Sequence, residues 1–206
     1  LHSPLYKGGG TLDVGGMHLH PLNYALGLAQ AAKDAGADIY EHSQVINYSK
    51  NQPSTVSTES GQVVADHIVL ACNAYLGKLE GRIAGKIMPI NGFMFATEPL
   101  EEPEARFINR DYVCVHDNKF DIHYFRMSAD NRLLFGGGEN YTRKFPKPLK
   151  DYVRATMLEV YPELVQKRID YAWGGSIAVT VNRMPHLGRL EPNVFFAHGF
   201  SGHGIA

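Results

Sequence analysis

The sequence predicts a mixed α/β (α+β) fold, in which an α/β part of the doubly wound, parallel-sheet kind is interrupted by an inserted antiparallel-sheet domain. Three observations predict it. A helical apolar repeat over residues 22–35 stops at Gly36 and leads into strand-like segments, among them the continuous apolar run Ile68-Val69-Leu70-Ala71, which suits a strand buried on both faces. From about Lys86 the chain changes to alternating aromatic strands separated by Pro-, Asp- and Asn-bearing turns, the pattern of an antiparallel sheet. Past Trp173 it returns to a strand over residues 193–197 that runs into the turn Gly199-Phe200-Ser201-Gly202-His203-Gly204.

In chain order, Leu22, Ala25, Leu26, Ala29 and Ala32 recur at helical spacing after Pro21, a residue suited to the first helical turn. Residues 37–41 and 43–49 read as strands, and 55–60 with 63–65 as a hairpin turning at Gly61. In the inserted part, residues 87–97, 112–115, 122–127 and 132–136 read as strands. Residues 149–161 read as a helix with Tyr152, Val153, Thr156, Met157 and Val160 on one side and Pro162 just past its end. Lys144, Lys147 and Lys150, interleaved with prolines, read as a solvated loop. The domain plan is residues 1–84 and 171–206 as one interrupted domain, with 85–170 inserted between them.

Composition sets the outer bounds. A chain of 206 residues with 44% hydrophobic content and 21 glycines is a folding sequence, long enough for one large or two small cores. A net charge of -1 leaves no basic stripe to neutralise phosphates, which excludes a nucleic-acid or anionic-membrane partner on electrostatic grounds. The two cysteines, Cys72 and Cys114, form no close-spaced pair, so neither a disulfide framework nor a zinc site is expected and a reducing cytoplasm is the default location. No apolar run approaches the ~20 residues that span a bilayer. His18 and His20 lie on one face of an extended segment without a third ligand nearby in sequence, so no metal is expected.

The closing turn carries the chemistry. Glycines leave backbone N–H groups uncovered, and a strand running into such a turn and then a helix start suits an anion or an electron-rich ring. Upstream stand Trp173-Gly174-Gly175-Ser176 and Thr180-Val181-Asn182-Arg183-Met184-Pro185-His186-Leu187-Gly188. Further back lie Leu19-His20-Pro21, Gly36-Ala37-Asp38-Ile39-Tyr40-Glu41, 65–75 and Arg132-Leu133-Leu134-Phe135-Gly136-Gly137-Gly138. In their order and spacing these segments resemble the FAD-dependent D-amino-acid oxidase (DAO) family, which includes glycine and sarcosine oxidases and γ-glutamylputrescine oxidoreductases. The resemblance implies an FAD-binding Rossmann-like domain and an inserted substrate domain. The family's opening strand, G-x-G-x-x-G turn and helix have no counterpart: Gly8-Gly9-Gly10 and Gly136-Gly137-Gly138 do not fit the fingerprint. The chain is therefore expected to be an internal fragment lacking the first strand and helix, with exposed sheet edges and weakened FAD affinity as the consequence.

The resemblance implies a cofactor set of Gly199, Phe200, Ser201, Gly202, His203 and Gly204, with Gly174 upstream, Val45 at the adenine end and Ala71, Cys72 and Asn73 at a strand end near the diphosphate and ribose. A core role for Val45, and simple packing for Ala71 and Cys72, are the competing readings. Where relatives place a carboxylate-binding arginine or a flavin-bonding cysteine, this chain has Ile177, which provides neither a cation nor a thiolate. That implies non-covalent FAD and an amine substrate such as γ-glutamylputrescine. Tyr124, flanked by His123 and Arg126, is a candidate substrate contact or else a packed aromatic. The expected function is FAD-dependent oxidation of an amine C–N bond. The alternatives are a sarcosine, glycine or D-amino-acid oxidase, and a non-catalytic binding module that has lost its nucleotide domain.

Overall fold

Helix α1 (Pro21–Asp34) begins where His20 caps it, the ring Nδ1 accepting the Asn23 amide at 3.2 Å, in a computed structural model that describes residues 1–142 and 144–205. There follow β1 (Asn47–Tyr48), β2 (Ser54–Ser57), β3 (Gln62–Ala65), β4 (Ile68–Leu70), α2 (Gly81–Ala84), β5 (Met88–Thr97), α3 (Glu102–Ile108), β6 (Val115–His116), β7 (Tyr124–Met127), β8 (Leu133–Gly136), α4 (Leu149–Val160), β9 (Ile169–Val179), β10 (His186–Glu191) and β11 (Val194–His198). These elements divide into two units. One holds Leu1–Gly16 with Pro89–Ile177, the other Met17–Met88 with the chain from Ala178 onward. Among the described residues no helix is long and apolar enough to cross a membrane.

The unit containing α1 has two small sheets. β1, β2 and β3 form an antiparallel meander in which Ser57 pairs with Gln62 across the expected turn at Gly61. In the second sheet β11 lies between β10, antiparallel to it, and β4, parallel to it. Tyr48, Ile68, Leu70, Leu76, Ile83, Val194 and Phe196 make the core. A polar cluster closes it: Glu80 caps α2 through the Arg82 amide at 2.9 Å, accepts the Tyr48 hydroxyl at 2.6 Å and pairs with the Arg82 guanidinium. The Arg82 hydrogen bonds hold the Glu80 carboxyl down to about 2, while burial and then the Glu80 partner push the Tyr48 phenol up to about 12.

The strand readings of 37–41 and 43–49 and the two-sided burial of β4 are corrected in this unit. Residues 37–41 carry no strand, and of 43–49 only Asn47–Tyr48 pairs; Tyr40 stands 71% exposed, with no neighbouring strand offering it a ladder. β4 is buried on one face only, since Ile68 and Leu70 face the core but Val69 is 63% exposed at the edge of its sheet. α1 forms as its apolar repeat dictates, yet none of its residues is buried; Leu22 and Leu26 are each 60% exposed.

The other unit is a five-stranded sheet in the order β6-β7-β8-β5-β9, antiparallel at the β6–β7, β7–β8 and β8–β5 pairings. Pairing of Phe125 with Phe135 and of Phe95 with Phe135 stacks three rings on one face, Phe125 and Phe135 lying parallel at 5.5 Å. Val153, Met157 and Val160 of α4, Ala105 and Ile108 of α3, and Tyr161 and Leu164 cover that face. Of the expected side of α4, Val153, Met157 and Val160 are buried, whereas Tyr152 is 38% exposed. Lys150 belongs to α4 rather than to a loop, and its ammonium donates to the Ile169 and Asp170 carbonyls at 2.8 Å each.

Candidate functional site

The closing turn is held from three directions within its own unit. Gly199 has φ +71°, and a Cβ there would lie 2.5 Å from Thr180 Cγ2 and 3.5 Å from His186 Cβ, so glycine is required both by conformation and by space. Its amide donates to the Asn73 side-chain oxygen at 3.0 Å. Asn73 itself adopts φ 46°, a conformation asparagine tolerates better than most residues. Ser201, φ 52° and buried, donates its amide to the Ala178 carbonyl at 2.9 Å, and its hydroxyl accepts the Thr180 amide at 3.3 Å. The His203 amide turns back onto the Phe200 carbonyl at 2.9 Å.

This arrangement refines the picture of a bare loop. The amides of Gly199, Ser201 and His203 are spent on shaping the turn; those of Phe200, Gly202 and Gly204 have no protein partner among the described residues. Gly202 has φ +87°, and a Cβ on Gly204 would come within 3.2 Å of Phe200 Cβ. Residues past Gly204 are a turn rather than the start of a helix as far as Ile205; Ala206 lies outside the described residues. The result is a turn whose shape is fixed by three of its amides and which leaves the other three without a protein partner among the described residues.

Val45 and Cys72 come together on a cavity of about 160 Å3, whose other walls are Tyr48, Val56, Ile68, Val69, Leu70 and Leu79. Burial pushes the Cys72 thiol up, so it presents a neutral, apolar sulfur there. Ala71 is exposed at the carboxyl end of β4. Asn73, just beyond, holds Gly199 rather than opening outward.

In the other unit, alternation sorts the side chains of the sheet. Phe125, Met127, Leu133 and Phe135 face the helices, so Tyr124, Arg126, Leu134 and Gly136 face the opposite side, joined there by Met94. Tyr124 lies flat on that side: a Cβ on Gly136 would strike its ring at 2.0 Å, and its hydroxyl is 3.7 Å from where a Cβ of Gly92 would stand. Two bare glycines on adjacent strands therefore give the ring its bed. A Cβ on Gly174 would meet Phe93 on the helix side at 2.7 Å, so by alternation Trp173 and Ile177 share the side of Tyr124. Gly174 itself is thus required for the close packing of β9 on β5. β7 and β9 are three strand spacings apart, roughly 14 Å, and the Tyr124 hydroxyl, reaching β5, spans all but the last of them.

Burial, and then the Glu139 and Asp121 carboxylates, push the Tyr124 phenol up, so it stays protonated in a locally negative field. Sequence reasoning missed the Asn73 bond to Gly199 and the glycine bed of Tyr124. Gly136 could have signalled the second, because a glycine inside an aromatic strand marks a close approach. Among the described residues no group of three or more His, Cys, Asp or Glu side chains is placed to hold a metal ion, and His20 is engaged as a helix cap.

Residues 2–206 match the DAO family model, described as FAD dependent oxidoreductase. The chain belongs to the FAD-dependent oxidoreductase family. It is 42% identical over its whole length to the "Probable oxidoreductase OrdL" of Haemophilus influenzae, covering 48% of that protein. It is 40% identical over 96% of its length to the gamma-glutamylputrescine oxidoreductase of Escherichia coli, covering 46% of it. Among solved structures it is similar to L-proline dehydrogenase from P. horikoshii, with TM-score 0.72 and 25% identity over 89% of this chain and 51% of that one. Glycine oxidase from Geobacillus kaustophilus, at 23% identity and TM-score 0.69 over 85% of this chain and 47% of that one, shares the fold. The chain spans about half the length of the curated relatives it matches.

The family's cofactor is FAD, and the closing turn fits such a group. Its glycines let the backbone pack against Thr180 and Phe200 without a side chain of its own, and the amides of Phe200, Gly202 and Gly204, unpaired within the protein among the described residues, could donate to an electron-rich ring edge.

Proposed function

We propose that the protein carrying this chain is an FAD-dependent oxidoreductase of amines, with γ-glutamylputrescine as the candidate substrate and FAD held non-covalently. The observation that carries the flavin part is the turn 199–204, whose Phe200, Gly202 and Gly204 amides are open while its other amides fix its shape. Gly199, Phe200, Ser201, Gly202, His203 and Gly204 would hold the ring system, and the cavity wall of Val45 and Cys72 would take an apolar part of the nucleotide. Bound FAD would supply the two-electron acceptor that an amine C–N oxidation needs.

This chain's own residues would do the rest. Prealigned amides favour negative charge developing at the ring edge without reorganising. Tyr124 would donate from its protonated hydroxyl, and the carboxylates of Asp121 and Glu139 around it favour a basic, cationic substrate over an anionic one. Ile177 offers an apolar wall where a carboxylate-binding cation would otherwise stand. The E. coli relative named for γ-glutamylputrescine supports the same choice. Arg126, on the same side of the sheet as Tyr124, favours the second reading, a substrate whose carboxylate sits next to the oxidised C–N bond, such as sarcosine, glycine or a D-amino acid.

A panel of amines and amino acids mixed anaerobically with the intact protein decides between them. Bleaching of flavin absorbance by γ-glutamylputrescine and not by sarcosine or glycine supports the proposal; the reverse order supports the second reading. A folded, colourless protein that takes up no FAD would leave a binding module instead.

A further inference from the structure

His186 on β10 and His198 on β11 pair across the antiparallel ladder, and their rings meet edge to edge, His186 Nδ1 lying 2.7 Å from His198 Nε2. At that distance one nitrogen carries a proton and the other accepts it. His198 is 1% exposed and its Nδ1 has no hydrogen-bond partner among the described residues, whereas His186 is only partly covered. Phe196 packs on both rings, 4.6 Å from His186 and 5.3 Å from His198. The pair sits directly beneath the turn: Gly199 follows His198 in sequence, and its α-carbon faces His186 Cβ and Thr180 Cγ2.

Protonation of both rings would place two imidazolium ions in contact inside an aromatic pocket, with no carboxylate beside His198 among the described residues to balance them. Burial, and then the charge of His186, already favour the neutral form of His198. Phe196 packs on the two rings, and Asn73, Thr180 and Ile87 lie against the adjoining Gly199; none of the four titrates.

We propose that His186 and His198 are positioning residues for the closing turn: one N–H bridging Nδ1 and Nε2 locks the ends of β10 and β11, and protonation of both rings, which puts a proton on each facing nitrogen, separates them, moves Gly199 and loosens the turn's hold on FAD. Neither ring needs to touch the cofactor. The protons come from solvent and return to it, so the effect is reversible. The proposal rests on the flavin reading of the turn, and its test separates the two.

FAD affinity of the intact protein, read by flavin fluorescence, should fall about ten-fold or more between about pH 7.5 and pH 5.5, the loss following protonation of both rings. His198→Gln and His186→Gln, which keep a neutral hydrogen-bonding group, should bind FAD at the higher pH and change by less than about two-fold over the same range. In the same samples the amide resonances of Phe200, Gly202 and Gly204 should move with the histidine ring titration. His186→Gln leaves the buried ring in place, so it serves where His198→Gln fails to fold. The proposal is overturned if the wild-type affinity is flat with pH, if both variants keep the wild-type slope, or if the turn amides stay still while the rings titrate. Turn amides that follow the rings in a protein taking up no FAD would uphold the positioning role and remove the flavin reading alone.

Discussion

The side-chain oxygen of Asn73 accepts the amide of Gly199 at 3.0 Å, so a residue 126 positions upstream fixes where the closing turn begins. Asn73→Ala removes the acceptor and leaves the amide unpaired, a loss of about 1–3 kcal/mol in turn placement. FAD binding measured by fluorescence titration should weaken by about ten-fold or more, with the thermal midpoint falling by a few degrees. Unaltered affinity would show that the bond does not shape the cofactor site.

Gly199 combines a left-handed backbone with a 2.5 Å limit set by Thr180 Cγ2. Gly199→Ala should therefore lower stability by about 1–3 kcal/mol, read as a fall in the urea midpoint. Thr180→Ser in the same molecule deletes the offending methyl and should recover part of that loss. A double variant no better than the single one would assign the whole effect to φ.

The buried Glu80 carboxylate bridges Tyr48 and Arg82, and its pKa lies below the ordinary carboxylate value of 4.5, at about 2. With the folded-state pKa depressed, its stabilisation is complete above about 4.5 and fades as pH falls through about 2. Glu80→Gln should cost about 1–3 kcal/mol at neutral pH and flatten the acid limb of the stability curve, measured by urea unfolding across pH. An unchanged acid limb would mean that other carboxylates govern it.

Gly136 is bare because the ring of Tyr124 occupies the place of its side chain. Gly136→Ala should evict the ring and raise KM for the amine by about ten-fold, whereas Tyr124→Phe, which keeps the ring in its bed, should change stability by less than about 1 kcal/mol. If Tyr124→Phe leaves both KM and kcat unaltered, the hydroxyl takes no part in substrate binding.

Local punctuation made much of this fold readable in the sequence. His20-Pro21 and Gly36 delimit α1 to within a residue or two, and the alternating aromatics of 87–97 and 132–136 place β5 and β8. Burial was less readable, because it depends on what lies opposite: Val69 looks like any core valine until β4 is seen at a sheet edge. The closing turn could be recognised from its glycines, but not which amides remain open, since that is decided by partners as distant as Asn73 and Ala178. The histidine pair stayed hidden for the same reason; twelve residues separate His186 from His198, and only the β10–β11 register brings them together.

Helix α1 has a cap, a stop and an oily stripe that no other described residue buries. At 14 residues it is near the shortest length that stays coiled unaided in water. Its amide hydrogens should accordingly be among the first to exchange with deuterium, and Leu22 and Leu26 are the places where a detergent or a neighbouring molecule would adhere first.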